Sequence, residues 1–344
     1  MRIARWLWSG RSVSARLGRC ALVPPSLLFR AVAAARAGAY RINLLRSGRV
    51  SVPTVAVGNL TVGGTGKTPI AAWIAQYYSK LGLTPGVVLR GYGGDEGTVH
   101  RKLASDAIVK ETPDRLTGAS HAVAEGADVV VFDDAFQRLD VSRDLNIAVV
   151  SAESGKTSSW TLPAGPWREG WGALKRADLV VVSRKSASLP DALGILERAK
   201  VAAGDCMVAV ALLHIAGFHR LESGLPVEPS VLDGADVVVG AGIADPDSFI
   251  HQCEDRGAHV RSVQWNDHQN ITSRHLRELA SLGRVADFTI VTEKDAGKMK
   301  GRWPMACEEP IVAELRLEWE MGRDTVESAL NSVVERDRRA AGHN

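Results

Sequence analysis

Residues 51–69 read SVPTVAVGNLTVGGTGKTP, and this stretch decides the fold. Thr54 to Val57 form a short apolar run that reads as a buried strand, a glycine-rich turn follows, and Lys67-Thr68 open a helical pattern. Strand, turn and helix in that order are the context a phosphate-binding loop requires. Gly63, Gly64 and Gly66 let backbone N–H groups approach phosphate oxygens, with Thr61, Val62 and Thr65 completing the cradle. Lys67 supplies a point charge for the outer phosphates, Thr68 a hydroxyl for Mg²⁺, and the helix N-terminus a favourable dipole. The strict pattern has Gly where Thr61 stands, so the loop is a variant.

Working outward, apolar runs at 54–57, 86–89, 129–132, 147–150 and 179–182 alternate with helical patterns at 68–81, 115–125 and 189–203. Fully apolar short runs suit strands covered on both faces. The alternation predicts an α/β fold: a P-loop NTPase-like, doubly wound, mostly parallel sheet with its ligand site at the carboxyl ends of the strands. Runs at 208–213 and 221–227 predict a two-stranded hinge over 208–230. A second, smaller α/β domain is expected over 231–336, with strands at 236–240, 260–264 and 288–292 and a helix at 247–256. The kinase-type core then covers 51–207, and a polar tail from Asp337 to Asn344 is expected to fray.

The segment ADVVVFDDAFQ, residues 127–137, runs a buried strand into Asp133 and Asp134. A strand delivering two carboxylates beside a phosphate loop resembles a Walker B element. One carboxylate can hold Mg²⁺ and the other orient the ion or the nucleophile, as phosphoryl transfer requires. Asp134 is followed by Ala-Phe-Gln, not Asp-x-x-Gly, and Thr292-Glu293-Lys294-Asp295 does not fit a guanine-reading motif. ATP is therefore the expected nucleotide.

The first acidic residue of the chain is Asp95, and ten arginines fall within the first fifty residues, interleaved with Trp6, Leu7, Trp8, Leu27, Leu28 and Phe29. After Pro24-Pro25, Leu28, Val32, Ala35, Ala39, Ile42 and Leu45 recur at helical spacing. This basic amphipathic helical arm, residues 1–50, is expected to meet an anionic membrane surface. The longest charge-free run in the arm, Cys20 to Phe29, is shorter than the ~20 apolar residues of a spanning helix, so no transmembrane helix is expected. The four cysteines are scattered and fit neither a metal site nor a disulfide framework, which points to a reducing cytosol. Nothing in the pattern calls for nucleic acid or an obligate protein partner.

Several further segments accompany these in order: RGYGG at 90–94, DE at 95–96, PDR at 113–115, RDLNI at 143–147, LPAGPWRE at 162–169, AGIADPDSF at 241–249, DH at 267–268 and TEKDAGK at 292–298. The ordered set resembles the tetraacyldisaccharide 4′-kinase family of lipid A biosynthesis. That resemblance implies ATP-dependent phosphorylation of the 4′-hydroxyl of an acylated glucosamine disaccharide 1-phosphate. The setting it implies is the cytoplasmic face of the bacterial inner membrane, with the enzyme peripheral. It further implies Asp95 as the base, His268 beside Asp267 as its partner, and Glu96 and Asp133 as Mg²⁺ ligands with Thr68. Arg90, Gly91 and Tyr92 of the RGYGG segment, Arg138, Arg168 and Glu169 are then expected at the substrate. Lys294 and Lys298 rank below these as solvated charges. The alternatives are a soluble P-loop kinase or ATPase with another substrate, or a non-catalytic nucleotide-binding relative.

Two departures stand out. The family writes DDGFQH where this chain has Asp133-Asp134-Ala135-Phe136-Gln137-Arg138, so an imidazole is replaced by a guanidinium that cannot shuttle a proton. Ala135 in place of glycine is expected to restrict the turn. The family also inserts a longer lid between RGYGG and its acidic pair, whereas here RGYGGDEG runs without a break.

Overall fold

The structure, a computed structural model, describes residues 6–8, 10, 12–91, 95–153, 159–267 and 269–341, with Asp95, Ala340 and Ala341 described by their backbone alone. The chain forms two compact units, one of residues 213–318 and one of residues 2–212 together with 319–344.

In the larger unit, the central strands are β1 (Thr54–Asn59), β4 (Val129–Asp133) and β5 (Leu145–Ser151), every residue of which is buried. With β2 (Pro85–Leu89), β3 (Ile108–Glu111), β6 (Leu179–Arg184) and the start of β7 (Met207–Arg220) they form a parallel sheet in the order β7-β6-β5-β1-β4-β2-β3. Burial on both faces explains why these strands are unbroken runs of Val, Ile and Ala. The order reverses around β1, so the crevice beyond its carboxyl end is a topological switch point.

Helices α2 (Lys67–Lys80), α3 (Asp95–Leu103), α4 (Arg115–Ala124) and α5 (Leu189–Ala203) lie among these strands. Ile70, Ala71, Ile74, Ala75 and Tyr78 are the buried stripe of α2, which packs on β2 and β4. Asp114 caps α4 by accepting from Leu116 and Thr117, and Ser188 caps α5 by accepting from Asp191.

The N-terminal helix α1 runs from Val13 to Arg41, straight through Pro24-Pro25. The prolines cost the helix two donors, but they do not start it as the sequence reading supposed. Val13, Leu17, Leu28 and Val32 share one exposed face, whereas Ala15 and Ser26 on the opposite face are fully buried. Among the described residues it is the one helix whose length and composition suffice to cross a membrane. The expectation that no segment reaches that length is thus corrected: a charge-free run undercounts a helix whose arginines lie off the apolar face.

The smaller unit carries β9 (Asp236–Ala241), β10 (His259–Gln264), β11 (Phe288–Thr292) and the start of β12 (Ile311–Met321) beside the end of β7, in the order β10-β9-β11-β12-β7. Pairs β9–β10, β9–β11 and β11–β12 are parallel. Alternate residues of β9 point into different cores: Val237, Val239 and Ala241 meet Phe249 and Cys253 of α6 (Pro246–Glu254), while Val238 meets Leu276 and Leu279 of α7 (Ser273–Gly283). A short helix, α8 (Glu293–Met299), follows β11 directly.

Three boundaries differ from the sequence reading. The hinge pair is one 14-residue strand, β7, with only Pro226–Val227 (β8) opposite its end. Residues from Trp319 onward belong to the larger unit, where the smaller domain was expected to run to 336. Residues 337–341 of the expected polar tail continue the last helix, α9 (Arg323–Ala341), whose Val326, Leu330 and Val333 are buried.

Candidate phosphate-binding and catalytic site

The loop between β1 and α2 is held from three sides, all within the larger unit. Asn59 donates from Nδ2 to Thr65 Oγ1 at 2.7 Å, and Ser183 donates from Oγ to the Thr65 carbonyl at 2.7 Å. The Lys185 ammonium donates to the Gly64 carbonyl. The Val62 N–H donates to Pro166 O at 2.8 Å, and Thr61 bridges Trp167, so the LPAGPWRE segment forms one wall of the loop. Gly66 caps α2 at φ 81° and Gly63 sits at φ 121°, conformations that favour glycine. A Cβ on Gly58 would lie 2.4 Å from the backbone nitrogen of Phe136, so this position requires glycine for close approach.

The β1–β4 register sets Val57 opposite Asp133, which brings the end of β4 beside the loop. Asp133 is 1% exposed, and its Oδ2 lies 2.9 Å from Nε2 of the fully buried His100. Burial alone would raise the Asp133 pKa; the His100 hydrogen bond and field, then Lys67 and the Thr68 hydroxyl, outweigh it and hold the carboxyl below its usual range. Asp133 Oδ1 is buried and has no hydrogen-bond partner among the described residues. Arg115, itself buried, donates to the Asp133 main-chain carbonyl at 3.1 Å.

Lys67 sits among the acids. Burial disfavours its charge, but Asp134, Asp133 and Glu96 outweigh that and raise its pKa, with Arg168 opposing. Asp134 accepts from Arg168 Nη1 at 2.9 Å and adopts a left-handed φ of 53°. The positive φ thus falls on Asp134, a residue type that tolerates it, and not on Ala135, so the alanine is accommodated.

Other expected residues have partners of their own. Glu169 accepts from Arg176 at 2.6 Å, and Arg138 makes two bonds to Asp140, at 3.1 and 2.7 Å. Arg90 and Gly91 follow the end of β2, with Gly91 at φ 73°. Tyr92 and His268 lie outside the described residues, and so does the side chain of Asp95, which opens α3. In the smaller unit, Asp267 accepts from Lys294 Nζ at 2.7 Å, giving Lys294 a partner where the sequence suggested a solvated charge.

His100 is the site residue the sequence reading missed. Its only signal is that it falls four residues after Glu96 on a helix, and so on the same face of α3.

A parallel sheet with a glycine-rich loop leading into Lys-Thr at its switch point, and a buried carboxylate at the end of the neighbouring strand, defines a P-loop phosphotransferase fold. The model of the family described as LpxK, tetraacyldisaccharide-1-P 4′-kinase, matches residues 18–335. The chain therefore belongs to this kinase family. Among its relatives, the tetraacyldisaccharide 4′-kinase of Pelobacter propionicus is 33% identical over 327 residues, covering 86% of this chain and 87% of that one. That of Azoarcus sp. is 34% identical over 333 residues, covering 90% of each. The crystal structure of LpxK from Aquifex aeolicus in complex with ATP superposes with a TM-score of 0.70 at 21% identity, covering 92% of this chain and 99% of that one, which shows the shared fold.

Proposed function

We propose that this kinase transfers the γ-phosphate of ATP to the 4′-hydroxyl of a tetraacylated glucosamine disaccharide 1-phosphate. The observation that carries this is the meeting of Lys67, Asp133, Asp134 and Arg168 at the phosphate loop in a chain of this family. Lys67 and the loop N–H groups bind the phosphates. Arg168, placed by the loop wall, offsets charge as the phosphoryl group moves. Asp95 takes the proton from the acceptor hydroxyl, and His268, beside Asp267 in the smaller unit, is a further functional residue in our reading.

Mg²⁺ suits the donors present. Asp133 offers a buried carboxylate oxygen, Oδ1, with no partner among the described residues, and the Thr68 hydroxyl is near enough to lower the same carboxyl's pKa. One or two protein oxygens plus phosphates are what this ion takes at kinase sites, and Glu96 is a further ligand in our reading. When bound, the ion neutralises phosphate charge.

The exposed apolar face of α1, flanked by arginines, supports a peripheral seat on an anionic membrane, where a tetraacylated acceptor resides. The test is transfer of label from ATP to the disaccharide 1-phosphate in detergent, with Lys67→Ala as the dead control. Absence of labelling by folded wild-type protein, with ATP still bound, would refute the assignment.

A further inference from the structure

Asp133 is buried; its Oδ2 meets His100, while Oδ1 has no hydrogen-bond partner among the described residues. A carboxylate is acceptor-only, so the 2.9 Å contact requires Nε2 of His100 to be the donor. His100 is itself fully buried, and its Nδ1 has no hydrogen-bond partner among the described residues. Its ring is therefore tied to Asp133 through one nitrogen. His100 and Glu96 lie four residues apart on α3, and the charge of Glu96 is felt by both Lys67 and Arg115. The same helix thus presents an acid to the phosphate loop and clamps the carboxylate at the end of β4.

We propose that His100 is a positioning residue for divalent-cation binding: by holding Asp133 Oδ2 it aims Oδ1 at the ion and locks α3, with Glu96, against β4. The proposal rests on the reading of Asp133 as a metal ligand. A hydrogen-bonded partner behind a metal-binding group fixes its orientation, and loss of such partners costs roughly 10–100-fold in metal affinity. Arg115 holds the backbone of Asp133, not its carboxylate, and so does not duplicate the clamp.

The test is Mn²⁺ binding measured by electron paramagnetic resonance in the presence of a non-hydrolysable ATP analogue, alongside binding of that analogue without metal. His100→Ala should weaken Mn²⁺ binding by about 10–100-fold and leave metal-free analogue binding unchanged. His100→Gln, whose amide nitrogen reaches the place of Nε2, should recover most of that loss, whereas His100→Asn, which is too short, should not. Gln and Asn variants fill the site, so their comparison stands even if the alanine variant does not fold. Equal Mn²⁺ affinity in the Gln and Asn variants, or parallel loss of analogue and metal, would overturn the proposal. Failure of the wild type to bind Mn²⁺ with the analogue would instead overturn the metal reading beneath it.

Discussion

Ser26 and Thr161 are locked together by hydrogen bonds in both directions: the Ser26 hydroxyl donates to the Thr161 carbonyl at 2.7 Å, and the Thr161 hydroxyl donates to the Ser26 carbonyl at 3.1 Å. Both residues are buried, and a serine just after two helical prolines is where α1 meets the core. Thr161 immediately precedes the LPAGPWRE segment, which walls the phosphate loop and carries Arg168. Trp8 adds a second tie, donating from its indole to Pro163 O at 2.9 Å.

Replacing Ser26 by Ala leaves the Thr161 carbonyl buried without this donor. The Gly165 N–H still donates to that carbonyl at 3.0 Å, so we expect a loss of roughly 0.5–1.5 kcal/mol, read by denaturant unfolding, and faster proteolysis of α1. Unchanged stability and cleavage would show that the helix is held elsewhere.

Arg168→Ala should lower kcat by about 10²-fold, the scale of removing one charge-stabilising donor, with a small change in melting temperature. Arg168→Lys keeps the charge but loses the planar fork, so its kcat should fall between the two. Steady-state kinetics with thermal melts separates this from a folding defect; a proportionate loss of both would contradict it.

The apolar face of α1 predicts its own behaviour. Burying a large aliphatic side chain is worth about 1.5–3 kcal/mol, so replacing Leu17, Leu28 and Val32 together by Gln should cut partitioning onto anionic vesicles at least ~10²-fold. Co-sedimentation at low and high salt is the measurement. Binding equal to wild type would mean that another surface meets the lipid.

A pH effect is expected in the smaller unit. Asp295 is fully buried, and burial raises its carboxyl pKa despite hydrogen bonds from the Gly242 N–H and the Thr292 hydroxyl. Its folded pKa exceeds the unfolded 3.8, so its contribution is full below 3.8 and is lost as pH rises through the folded value. Asp295→Asn removes this dependence. The melting temperature of the variant relative to wild type should therefore climb with pH across that window, and a flat difference would contradict the assignment.

The parallel core was legible because strands buried on both faces have no polar alternation, and because the glycine spacing of 58–66 serves one purpose. The positions of Lys67, Asp133 and Asp134 followed directly. His100 was not legible, since its helix, Asp95–Leu103, is polar and lacks an apolar period long enough to reveal it. The two-proline interior of α1 misled for a local reason: propensity ends a helix there, whereas the buried bonds of Ser26 to Thr161 hold the helix against the core just after the prolines. The pairing of Lys294 with Asp267 joins residues 27 apart in sequence and needs the turn before α7 to be seen. Most of helix α9 was expected within the smaller domain because no local signal tells which of two units a terminal helix will cover.

That last helix has a consequence for synthesis. The unit of residues 213–318 is contiguous, so it can finish folding on the ribosome before the larger one, which still lacks residues from Trp319 onward. Those residues close on the helix that follows the phosphate loop: Trp319 stacks edge-on against Trp73, Tyr77 donates to Asn331 at 2.9 Å, and Tyr78 donates to the Leu330 carbonyl at 3.1 Å. Completion of the nucleotide-binding helix thus waits on the residues from Trp319 onward, which makes ATP affinity a reporter of their docking.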